Sequence, residues 1–218
     1  MTPQAELPPR VEQTIQPSRT AARRLIAGAF LVALIIFLFR QPDEIKHPPG
    51  ILIPEDPYQA LADRSTPWEY KDCKFTPLAF IRLRARVLHT ERYWFDTASR
   101  VSPIDFVLGW GPMSDAGVLE QFDFSQGGRW YYWKPTNRAQ PISHQQVARY
   151  SANMHLIPAT ADIDKRLRDV RAGHIVQFTG DLVEIGAKDG WRMRSSLSRT
   201  DSGGGSCEVV WVRDLSVR

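Results

Sequence analysis

The chain has 218 residues, with 28 Lys and Arg against 24 Asp and Glu, for a formal net charge of +4. That balance is too small to argue for a nucleic-acid partner, and the 5 histidines show no metal-ligand spacing. The part beyond Pro67 has roughly 150 residues, the size of one domain with a real core.

Residues 1–20 carry Pro3, Pro8, Pro9 and Pro17 among scattered polar residues and read as a disordered cytoplasmic tail. Residues 21–40 read as a transmembrane anchor, because every position from Leu25 to Phe39 is apolar or glycine. That run rises about 22 Å as a helix, short of a hydrocarbon core of about 30 Å, and Arg23, Arg24 and Arg40 are placed to snorkel across part of the difference. A buried core helix should show a polar stripe, which is missing. A cleaved signal should show a small-residue site, where the sequence has RQPDEIKHPPG. Arg10, Arg19, Arg23 and Arg24 precede the span, so the positive-inside rule keeps the N-terminus in the cytoplasm and exports the rest. The expected setting is a single-pass protein of a bacterial inner membrane. Its partners are the lipid bilayer, through Leu25 to Phe39, and an envelope protein; its C-terminal domain is periplasmic.

Residues 41–67 are rich in proline and read as an extended tether that can also pack on the following domain. Residues 68–218 read as one exported α+β domain, mostly β, a small barrel or sandwich with one or two helices. In Leu78 to Leu88, Phe80, Arg82, Arg84 and Arg86 alternate with apolar residues, which is a strand. Its basic face is a solvated strand face or, alternatively, a surface for anionic headgroups. Ile104 to Leu108, Phe122 to Phe124 and the aromatic RWYYW run from Arg129 to Trp133 read as further strands. Pro141 to Tyr150 reads as a short helix. Thr160 or Asp162 caps a second helix, whose apolar face is Ile163, Leu167 and Val170 and whose stop is Gly173. His174 to Thr179 and Asp181 to Ile185 read as strands broken at Gly180, Trp191 to Arg194 as another, and Cys207 to Val212 as the last.

The two cysteines, Cys73 and Cys207, are expected to pair as a disulfide if the domain is exported. If it is not, Cys207 becomes a possible nucleophile. Other candidates for chemistry are His155, Asp105, Asp115, His174, Ser195, Ser196 and Asp201. None sits in a local signature such as G-x-S-x-G, H-E-x-x-H or S-x-x-K, and no cofactor motif is present. The loop SGGGS is a flexible turn or an anion-binding nest, and His155 is a buried structural histidine or a catalytic base.

Three blocks, GWGPMSD at 109–115, SANMHLIPA at 151–159 and SSLSRTDSGGGSCE at 195–208, resemble shared blocks of a family of small, uncharacterised bacterial membrane-anchored proteins. The resemblance implies only that the blocks gather at one place, with Trp110, Asp115, Asn153, His155, Ser195, Arg199, Asp201 and Glu208 around it. The sequence thus points to a noncatalytic binding or assembly module of the cell envelope. The alternative is an envelope hydrolase with His155 as base and Ser195, Ser196 or Cys207 as nucleophile, which requires His155 to reach one of those side chains.

Overall fold

The computed structural model describes residues 23–24, 26, 28–33, 44–62, 66–136, 141–198, 201, 203 and 205–218. The chain divides into two units, Met1–Pro42 and Asp43–Arg218. In the first unit the described residues are helical. The transmembrane helix expected there is corrected, since among the described residues no helix is long and apolar enough to cross a membrane. The tail at 1–20 and most of the expected span lie outside the described residues.

The second unit is mostly β with a few short helices. Its strands are β1 (Tyr58–Leu61), β2 (Trp68–Tyr70), β3 (Cys73–Arg92), β4 (Ile104–Gly109), β5 (Phe122–Gly127), β6 (Trp130–Pro135), β7 (Ser151–Pro158), β8 (Ile175–Ala187), β9 (Arg192–Arg194) and β10 (Glu208–Val217). The helices are α1 (Ala116–Leu119), α2 (His144–Tyr150) and α3 (Ala161–Asp169). β3 pairs with β4, β4 with β7, β7 with β10, β10 with β8, and β8 again with β3, which closes a ring. Only β7 and β10 run parallel in it. A five-stranded ring in this order, with α3 between its third and fourth strands, has the topology of an OB-type Greek-key barrel.

Alternation builds the interior. Ala79, Ile81, Leu83, Ala85 and Val87 of β3 point inward with Ile104, Phe106 and Leu108 of β4, Met154 and Leu156 of β7, and Val210 and Val212 of β10. α3 is capped by the Thr160 hydroxyl, which accepts from the Ile163 N–H at 3.2 Å, and lays Ile163 and Leu167 into the same cluster. Burying each contributes roughly 1.5–3 kcal/mol. The expected break at Gly180 does not occur: β8 is continuous, and the glycine serves close approach to β10, since a Cβ there would lie 2.2 Å from the Trp211 carbonyl oxygen. Arg86, expected on an exposed basic face with Arg82 and Arg84, is buried.

Of the two readings of residues 41–67, the described residues 44–53 take the packed one. Residues 44–53 form a strap bound to the barrel: Ile45 N–H donates to Ala172 O at 3.0 Å, Gly50 N–H to the Asp115 carboxylate at 2.8 Å, and the Leu52 and Ile53 N–H groups to the Ser114 hydroxyl at 3.1 and 3.0 Å. Ile53 is fully buried in the main core, and β1 pairs with β3. The prolines rule out helix here but not docking, because the backbone donors that remain find acceptors on the barrel.

Candidate active site

The outer faces of β4, β7 and β10 carry the site. Antiparallel pairing sets Asp105 directly opposite His155, and the parallel pairing sets Val209 opposite His155, so Cys207 enters beside Asn153 and His155. Period-two alternation turns Met154 and Leu156 into the barrel and leaves Asn153 and His155 on the outer wall.

The hairpin of β5 and β6 covers that wall. Its two-residue turn, Gly128–Arg129, has φ of 58° and 72°, as a type I′ hairpin turn requires. A left-handed arginine is unfavourable by itself, and here its surroundings hold it. The Arg129 Nε and Nη2 donate to Asp96 at 2.6 and 2.8 Å, Nη1 donates to Asp105 Oδ1 at 2.8 Å, and Nη2 also donates to Ser102 O at 2.8 Å. The guanidinium lies 3.8 Å from the Tyr93 ring centroid, and the Arg129 N–H donates to the Tyr93 hydroxyl at 3.2 Å. The Arg129 ion pair, the strongest influence on Asp96, holds that carboxyl below the usual range. Burial pushes the Tyr93 phenol above its ordinary value.

Asp105 is fully buried and uses its second oxygen on His155, with Oδ2 2.8 Å from Nδ1, close enough for an ion pair though not aligned as a hydrogen bond. Burial, the strongest influence on His155, pulls its imidazole down, but the neighbouring Asp105 carboxylate and Cys207 sulfur together push it up to about 9. The thiol lines the same cleft as this imidazole. Asn153 completes the group: its Nδ2 donates to Arg129 O at 3.1 Å and to Cys207 Sγ at 3.6 Å, while its Oδ1 accepts from Gln126 at 2.7 Å. Gln126 in turn meets His89 Nδ1 at 2.8 Å.

Two clefts share Cys207. One, of about 170 Å³, is walled by Trp110, Trp130, Tyr131 and Trp133 with Asp201 and Glu208. The other, of about 290 Å³, is walled by Arg129, His155, Met193 and Arg194.

The expected disulfide is corrected. Both cysteines are free, Cys73 buried and Cys207 half-buried. Cys73 opens β3 opposite Ala187, in an apolar cluster with Phe75, Val183 and Ile185, where burial pushes its thiol up. Cys207 lies at the polar site instead. The serines are spent on the loop, which removes them as the expected nucleophiles. Ser195 Oγ donates to Ser196 O at 2.7 Å and accepts from Val209 N–H, and Ser196 Oγ donates to Asp201 at 2.6 Å. Asp115 is taken from the expected group: it caps α1 through the Gly117 N–H at 2.8 Å and holds the strap. His174 accepts from the Arg171 N–H in the turn before β8. Arg199 lies outside the described residues. Trp110 and Glu208 border the aromatic cleft. The second and third sequence blocks therefore meet at Cys207, while the first mainly anchors the strap.

Among the described residues no group of three or more His, Cys, Asp or Glu side chains is arranged to hold a metal ion. Comparison with known proteins gives no matching family model, no matching curated protein and no matching solved structure.

Proposed function

We propose that the Asp43–Arg218 unit is a cysteine-dependent acyl-transfer enzyme, a hydrolase or transferase with Cys207 as nucleophile. One observation carries this reading: Cys207 and His155 line the same cleft, and His155 Nδ1 faces a fully buried Asp105 that Arg129 holds in place. A nucleophile, a base and an orienting carboxylate in that relation are what thiol-based acyl transfer needs.

In the reaction the thiol proton rests on His155, whose charged form Asp105 favours, and the Cys207 thiolate sulfur forms a bond to the substrate carbonyl carbon. The Asn153 Nδ2–H, now directed at the sulfur, is in place for the negative charge that develops on the carbonyl oxygen. As the tetrahedral species collapses, the bond to the leaving group breaks and His155 returns the proton to that group, which leaves a thioester. Water or an amine, deprotonated by His155, then attacks the thioester carbonyl and frees the thiol. Asp105 and Arg129 act through His155 by fixing its ring and favouring its charged form.

Topology supports the location. In OB-type barrels the outer face of the second and third strands and the flanking loops take ligands. Here those strands are β4 and β7, and the loops carry Asp96 and Cys207. That is an analogy of fold, and the chemistry rests on the side chains.

A second reading, the noncatalytic binding or assembly module, is favoured by Trp130 and Tyr132, which are 44% and 55% exposed on the same hairpin. Incubation with p-nitrophenyl acetate separates the two. The acyl-transfer reading expects one acetyl group on Cys207 by intact mass, none there in Cys207→Ser, and acylation slowed about 100-fold or more in His155→Gln. Equal acylation rates in the wild type and His155→Gln would remove it and leave the binding module.

A further inference from the structure

A second cavity, of about 340 Å³, lies away from the thiol, between the strap and the outer side of β3, α1 and β5. We infer that it is a binding site for a carboxylate carried on an apolar acyl chain, with Arg86 as the head-group receptor and Glu44 as the side chain that the ligand displaces.

Arg86 is 2% exposed, yet it is poorly supplied with acceptors. Its Nη2 donates to Glu44 Oε1 at 3.1 Å, its Nη1 reaches Ser114 O only at 3.4 Å, and its buried Nε has no partner. A guanidinium offers five N–H donors in a planar fork suited to a bidentate carboxylate. Leaving part of that fork unused in a buried position is costly. Among the described residues, the one carboxylate that meets it is monodentate and belongs to a side chain that is itself 53% exposed. Glu44 thus shows which chemistry Arg86 accepts without filling the fork.

Charge balance decides what can replace it. Exchanging one carboxylate for another leaves the charge at Arg86 unchanged, so a bare small anion gains little. The floor of the cavity is apolar, with Leu88, Leu119 and Phe122 only 8%, 8% and 5% exposed. An alkyl chain against that floor supplies the gain that the exchange of head groups lacks. Lys46 at the mouth adds a second cation, and Glu120 is the other acid there.

Calorimetric titration of the full chain with octanoate, octanol and acetate tests this, in the wild type and in Glu44→Ala, Arg86→Met and Cys207→Ala. Octanoate is expected to bind at least about tenfold tighter than octanol or acetate. Glu44→Ala should tighten octanoate roughly tenfold by removing the competing carboxylate. Arg86→Met should abolish binding, and Cys207→Ala should leave it unchanged, which separates this cavity from the clefts at the thiol. Octanol binding Glu44→Ala as tightly as octanoate, or an octanoate affinity that Glu44→Ala does not raise, would overturn the assignment. Glu44 is exposed, so that result stands even where Arg86→Met fails to fold.

Discussion

Replacing Asp105 by Asn tests the charge chain at its most buried link. The fully buried carboxylate stands between Arg129, 2.8 Å from Oδ1, and His155, 2.8 Å from Oδ2. His155 titrates at about 9 in the folded chain, against 6.5 for an ordinary histidine. Folding therefore takes up a proton between those values. The stability this brings is complete below 6.5 and is lost as pH rises through about 9. At about 1.4 kcal/mol per pH unit, the interval is worth on the order of 3 kcal/mol. Cys207 shares in it, and Asp105 supplies the larger upward push, so the variant should forfeit roughly 2 kcal/mol of this pH-dependent part. A further cost, the same at every pH, comes from Arg129 facing a neutral amide with Asp96 as its remaining carboxylate. Urea unfolding of both proteins at about pH 6 and about pH 10 should show the variant more destabilised at the lower pH, by roughly 2 kcal/mol. His155, followed by NMR titration, should move down from about 9 toward 6.5 in Asp105→Asn. A loss of stability equal at both pH values, with His155 still titrating near 9, would refute the claim that Asp105 sets the charge of the imidazole.

Arg129→Ala leaves Asp105 buried without its cation, and should cost about 3–5 kcal/mol in chemical unfolding; a loss below about 1 kcal/mol would show that the ion pair is worth no more than a surface one. Ile53→Ala should cost about 2–5 kcal/mol, because a fully buried side chain is truncated, whereas a free tether would give no change in the urea midpoint. Gly180→Ala sets a methyl group 2.2 Å from the Trp211 carbonyl oxygen and should lower the thermal midpoint by well over the roughly 4 °C that 1 kcal/mol is worth. An unshifted midpoint would mean that β8 and β10 part there without cost.

Leu78 to Leu88, within β3, was legible because period two survives in the sequence, and Ile104 to Leu108, within the wholly buried β4, was legible as a short apolar run closed by glycines. β7 was not legible as a strand, because seven of its eight positions, 151 and 153–158, are buried and it shows no alternation. The anchor was inferred from composition alone, and a run of apolar residues is not evidence of a helix long enough to span. At the site, sequence alone named Asp105, His155 and Cys207 as separate candidates. What joined them was register, since Asp105 meets His155 only through the pairing of β4 with β7, and Cys207 reaches it only through the parallel pairing of β10. Arg129 was missed. Its signal was present as two glycines followed by an arginine between two aromatic strands, the length of a type I′ turn, but nothing local says where the tip of a hairpin will dock.

The fate of the two cysteines follows from the same registers. Compartment arguments treat two cysteines in an exported chain as a pair, because oxidation removes the alternatives. The barrel separates them by environment: Cys73 lies in an apolar cluster where its thiol is held protonated by burial, and Cys207 lies where an imidazole, an amide and two open clefts converge. A thiol at the first position packs in the core, while on the proposed reading a thiol at the second is the nucleophile. A bond between them would leave His155 with a charge raised by Asp105 and no proton to exchange with sulfur. The chain of alternating charges runs inward from the exposed Asp96 through Arg129 to the buried Asp105 and His155, and its buried end is expensive to assemble in a wall that Val or Ile could fill. Its far end rests on the one polar thiol of the domain, and that placement gives the cost a chemical reason.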